Sequence, residues 1–172
     1  TLQLTADDGF NQPSQTITVT VLEEGTSTYD TWSTGSFANA VTDTAMTSDP
    51  DGDGRSNMME FAFGTDPTLM DMGPLAIDGS RHGAPVAAVD TVSGGFALYF
   101  MRRDDHATSG ITYTARFSDD LTSFEANDDS ANPPEIVPGS SDGEYHVLKL
   151  PFPASLSNGN PARFGCVEVL AP

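Results

Sequence analysis

The sequence predicts a mostly β protein, an antiparallel β-sandwich carrying one short helical segment beside an acidic loop. From residue 74 onward, short apolar runs recur between clusters of Gly, Asp, Asn and Pro, the pattern of short strands joined by tight turns. Near the start, Ile17, Val19 and Val21 alternate with Thr18 and Thr20, which gives one apolar face at period two. The clearest helical signal is brief and begins within a twelve-residue acidic stretch, residues 49–60.

Composition narrows the function classes. The chain has 172 residues, with 7 Lys plus Arg against 25 Asp plus Glu and a net charge of -18. Such a surface repels phosphate backbones and anionic lipid, so nucleic acid is excluded as an expected partner, and divalent cations are attracted. No apolar run approaches membrane-spanning length, so no membrane insertion is expected, and no signal peptide is visible. The chain lacks an initiator Met and is expected to be a processed product, a cloned fragment or the ordered part of something longer.

Residues 1–25 read as two strands, 2–5 and 16–22, joined by the polar loop ADDGFNQPSQ. An isolated hairpin is marginal in water, so its apolar row needs a sheet to cover it. Two placements stay open. The hairpin packs on its own chain, or it adds to the sheet of an identical subunit by strand addition, which would make the chain a filament or array subunit. Residues 23–28, EEGTST, form a polar linker and the expected domain boundary. In residues 29–41, Tyr29, Trp32, Phe37 and Ala40 fall roughly at helical spacing, with Trp32 the expected apolar plug for the segment that follows.

Residues 49–60, DPDGDGRSNMME, match the pattern D-x-[DN]-x-[DN]-G-x5-E at every specified position. Asp49, Asp51 and Asp53 place carboxylates on alternate residues of a curled backbone, where all can converge on one cation. Gly54 permits the turn, Arg55 offers its backbone carbonyl, Asn57 ligates directly or through water, and Glu60 closes the sphere with both oxygens. Oxygen-only donors in that number favour Ca2+ over Mg2+. A single such loop, where sensors pair two, points to a structural clamp. Residues 57–63 should form a short helix with Gly64 as a left-handed cap, ended by Thr65-Asp66-Pro67. Asp66 and Asp71 are either turn residues or additions to the metal shell.

Six strands are expected beyond: 74–77, 84–89, 95–101, 111–117, 144–150 and 163–170. Phe96, Leu98 and Phe100 should share one face, and Ile111, Tyr113, Ala115 and Phe117 another. The domain division is thus 1–25 hairpin, 26–73 metal loop and helix, and 74–172 β-sandwich.

Tyr29-Asp-Thr-Trp32 followed by DPDGDGRSNMMEFAFGTDP resembles the calcium-binding repeat related to dockerins and bacterial thrombospondin type 3 repeats. The first two strands, with LTADDG and ITVTV, resemble the last hairpin of a cadherin-like or immunoglobulin-like repeat. FALYFMRRDD, ITYTARFSDDLTSF and RFGCVEVLAP resemble the β-domain that follows the calcium repeat in bacterial secreted and surface proteins. The resemblance implies a calcium-stabilised extracellular module without implying an activity.

Catalytic chemistry is not expected. His82, His106 and His146 are scattered without HExxH or GxSxG spacing, and the pairs Asp104-Asp105, Asp119-Asp120 and Asp128-Asp129 read as loop charges. Asp119 or Asp120 is a weak second-calcium candidate. Arg102-Arg103 beside Asp104-Asp105 reads as an ion-pair network at a strand end. The single cysteine, Cys166, excludes an internal disulfide and reads as a buried, inert thiol. The expected role is therefore a non-catalytic structural module joined to neighbouring domains or to identical subunits. The second reading is a carbohydrate-binding accessory module, with a polysaccharide partner stacked on Trp32, Tyr99, Phe124 or Tyr145.

Overall fold

The computed structural model describes residues 2–6, 15–19, 28–37 and 43–171, the first two stretches as backbone alone. Helix is scarce and antiparallel strands dominate. Strands β1 (Leu2–Ala6) and β2 (Gln15–Val19) pair antiparallel as a two-stranded sheet, Leu4 opposite Ile17. Of the apolar row expected on this hairpin, Ile17 and Val19 are described as backbone alone, and Val21 lies outside the described residues.

Helix α1 (Thr28–Ser36) carries Tyr29 and Trp32. Their rings meet each other at 5.5 Å and Phe61 at 5.3 and 5.2 Å, and Phe37 closes on Trp32 at 5.9 Å. Trp32 is thus the plug that its spacing predicts. Helix α2 (Asn57–Phe63) starts at Ser56 and ends at Gly64, whose φ of 75° and N–H to the Glu60 carbonyl are those of a left-handed cap.

The remaining strands form two further sheets. In the four-stranded one the order is β3 (Val86–Val89), β4 (Phe96–Arg103), β8 (Tyr145–Pro151), β7 (Glu135–Ile136). In the three-stranded one, β5 (Thr112–Ser118) lies between β6 (Glu125–Ala126) and β9 (Phe164–Leu170). A single turn of helix, α3 (His106–Ser109), links β4 to β5. Leu98 opposes Leu150 and Phe100 opposes Leu148, while Ala115 and Phe117 enter the same core from β5. Phe63, from the end of α2, belongs to that core as well, while Met58 and Phe61 form a second cluster with Tyr29 and Ile111, so α2 packs into both. Among the described residues no helix is long and apolar enough to cross a membrane.

Several expectations need correction. Residues 74–77 form no strand and contribute only a parallel bridge from Pro74 to Ala84. Phe96 is exposed, unlike Leu98 and Phe100, because it sits where β4 emerges from its turn. Cys166 is exposed on β9 and not buried, because β9 is an edge strand that pairs with β5 alone among the described residues.

Candidate metal centre

The acidic loop is curled by its own carboxylates. Asp49 accepts the N–H of Gly52 on Oδ1 and that of Gly54 on Oδ2, both at 2.9 Å. Asp51 Oδ1 accepts the Asp53 N–H at 3.1 Å, and Asp53 Oδ1 accepts the Arg55 N–H at 2.8 Å. Gly54 makes this possible with a φ of 92°, a region that side chains with a Cβ rarely enter. The neck of the loop is closed by the Asn57 N–H on the Ser48 carbonyl at 2.8 Å and the Met58 N–H on the Met46 carbonyl at 3.0 Å.

These bonds leave a set of buried oxygens unpartnered. Asp51 Oδ2, Asp53 Oδ2, Asn57 Oδ1 and both carboxylate oxygens of Glu60 are buried without a hydrogen-bond partner. Asn57 is oriented by its amide nitrogen, which donates to the Asp43 and Ala45 carbonyls at 3.2 and 2.8 Å and so fixes which end is oxygen. Glu60 projects from the first turn of α2 and is 0% exposed. An ionised carboxylate so placed costs several kcal/mol, roughly, unless a cation meets it. Burial, and then the charges of Asp51, Asp53 and Asp71, push the Glu60 carboxyl up to about 8, against a smaller pull downward from Arg55. Burial also raises Asp51 above the usual carboxylate range.

The carboxylates fall into two overlapping groups. Asp49, Asp51 and Asp53 have oxygens within 4.8 Å of one another, and so do Asp53, Glu60 and Asp71. Two oxygens on one calcium ion lie at most about 5 Å apart, so either spacing fits such an ion. Four of the six residues expected from the sequence, Asp49, Asp51, Asp53 and Glu60, fall in these groups, with Asp53 as the shared member. Of the two residues left open between turn and metal shell, Asp71 is the one that joins the cluster. It sits beyond the loop, and the Arg55 guanidinium reaches it at 3.0 Å while also donating to the Gly73 carbonyl at 3.2 Å. Asp66 is a turn residue, accepting from the N–H and hydroxyl of Thr68.

Elsewhere the ionisable groups are bound up in the fold. Arg103 is buried, donates to both oxygens of Asp105, to Glu144 and to the Tyr145 hydroxyl, and lies 4.2 Å over the Phe61 ring. Burial is the largest single influence and would lower its pKa, but Asp105, Tyr145 and Glu144 together outweigh it and raise it. Arg102 instead meets His146, which in turn contacts Asp104. His82 bridges the Gly64 carbonyl and Asp142, at 2.7 and 2.8 Å, and His106 contacts the Arg103 carbonyl. The Asp119 carboxylate accepts the Asn158 and Asn160 amides, and Asp120 accepts N–H groups of its own turn. Lys149 pairs with Asp90 and Glu135. Of the rings expected to stack on sugar, Tyr99 and Tyr145 are buried and offer no platform, and Trp32 and Phe124 are half-buried.

Compared with protein-family models, curated proteins and solved structures, the chain matches none.

Proposed function

We propose that this chain is a non-catalytic, calcium-stabilised structural module of an extracellular or cell-surface protein, built as a β-sandwich clasped by an EF-hand-like loop. Asp49, Asp51, Asp53, the Arg55 carbonyl, Asn57 and Glu60 hold the ion. One observation carries this reading: five side-chain oxygens from four of those residues are buried without partners. A hard divalent cation satisfies all of them at once, and an oxygen-only set of this size suits calcium.

A clamp is favoured over a switch because α2 is anchored from both larger sheets. Tyr113 on β5 donates to the Ala62 carbonyl at 2.6 Å, and Tyr145 on β8 donates to the Phe61 carbonyl at 2.9 Å. Phe61 is covered by Arg103 and Phe63 is in the main core. A helix held this way cannot swing out to expose a groove, so ion binding is expressed as stability. Calcium at a hundred times its dissociation constant contributes about 2.7 kcal/mol.

The hairpin of β1 and β2 is the joining element in this reading. Two strands alone are marginal in water, and pairing with the sheet of a neighbouring domain or a second copy completes them. Strand β9, seven residues long, pairs on one side only among the described residues and is the edge proposed for such a sheet. The reading is tested by calorimetric titration of chelator-treated protein with calcium. Heat that saturates near one ion per chain, with Asp51→Asn and Glu60→Gln abolishing it, is expected. Absence of binding in the wild type would contradict it.

A further inference from the structure

The second carboxylate group reaches outside the twelve-residue loop. After α2 the chain turns at Gly64, and the Leu69 N–H on the Asp66 carbonyl at 3.1 Å and the Gly73 N–H on the Asp71 carbonyl at 2.7 Å fold residues 65–73 back. That return places the Asp71 carboxylate with those of Asp53 and Glu60, their oxygens within 4.8 Å of one another. A second observation points to a ligand at the same place. Glu60 is 0% exposed and neither of its oxygens has a hydrogen-bond partner; Asp53 Oδ2 is likewise buried and unpartnered.

Arg55 does not resolve that charge. Its guanidinium is 3.0 Å from Asp71 Oδ1 and 3.7 Å from Asp53 Oδ2, while Glu60 receives no hydrogen bond from it. Its role is to hold Asp71 by one oxygen and the Gly73 carbonyl with the other arm, setting the returning segment against the loop. A cation seated between Glu60 and Asp53 is then within ligand reach of Asp71.

We propose that Asp71 is a further direct ligand of the cation, so that the ion ties residues 65–73 to the acidic loop as well as closing the loop itself. This rests on the calcium reading above. The ion becomes a staple between the helical segment and the chain entering the β part, which begins at the Pro74 to Ala84 bridge. A clasp of that kind fits a joining module better than a self-contained loop does.

The test uses the full chain, calcium and europium(III) as probes, and two variants. Asp71→Asn should weaken calcium by about tenfold or more in calorimetric titration. In the same variant the luminescence lifetime of bound europium, compared in H2O and D2O, should report one more coordinated water than in the wild type. Asp66→Asn, which alters a neighbouring turn carboxylate outside the cluster, should change neither. Equal calcium affinity in Asp71→Asn and wild type overturns the proposal while leaving the loop reading intact. Weakened affinity with unchanged europium hydration also overturns it, since Asp71 would then act only through Arg55. A wild-type protein that takes up no calcium contradicts the loop reading itself, and the proposal with it.

Discussion

Glu60 is the residue on which metal and stability meet. Its carboxyl is raised to about 8 by burial first and by Asp51, Asp53 and Asp71 next. A group whose folded pKa is raised favours the folded state while protonated. That contribution is fully present below the ordinary glutamate pKa of about 4.3 and is lost as pH climbs through about 8. Chelated protein should therefore melt at progressively lower temperature between those limits, whereas calcium-loaded protein, with Glu60 already ionised on the metal, should show a flatter profile. Scanning calorimetry across that range checks it. Glu60→Gln removes the buried charge, so it should abolish stabilisation by calcium yet melt no lower than wild type in chelator near the top of the range. A variant that loses stability equally in both conditions would show Glu60 to be a packing residue only. Asp71, left open by the sequence between turn and metal shell, illustrates what spacing cannot decide. Its place in the cluster depends on a turn at Gly64 and on the reach of Arg55, neither of which is encoded by distance along the chain.

At the scale of elements, α2 was the most legible piece. The loop pattern gave its start and Gly64 its end, and it spans the residues expected. The central strands β4, β5 and β8 were legible from their apolar runs within one or two residues at each end. β6 and β7 were not, since two residues carry no periodicity, and they exist only because β5 and β8 offer an edge. Cys166 was misread because apolar flanks look the same in a central strand and an edge strand. Gly64 yields a prediction at this scale. A Cβ there would lie 2.3 Å from His82 Nδ1, which is itself held by the Gly64 carbonyl. Gly64→Ala should cost at least about 1 to 2 kcal/mol in urea unfolding, the usual penalty for a left-handed non-glycine residue. Arg103→Met should cost about 2 to 3 kcal/mol, less than a fully buried pair because Asp105 and Glu144 reach water. That loss should be similar with and without calcium, since Arg103 fastens α2 to β8 without touching the loop oxygens.

For the whole molecule, a net charge of -18 means that folding gathers like charges, and five of the carboxylates crowd at one place. Two agents relieve this differently. Monovalent salt screens the surface at large, with a Debye length of about 10 Å at 0.1 M, and should raise the melting temperature of chelated protein modestly. In the proposed reading calcium acts at the loop and, through α2, on two clusters, Phe63 lying in the core between the larger sheets and Phe61 in the smaller one with Tyr29, Met58 and Ile111. The central claim is that this one ion holds the fold, and the most direct measurement is thermal unfolding in millimolar calcium and again in chelator at equal ionic strength. A rise of about 5 to 10 °C with calcium, the shift that about 2.7 kcal/mol produces in a chain of this size, is predicted. Superimposable transitions in the two conditions would contradict it.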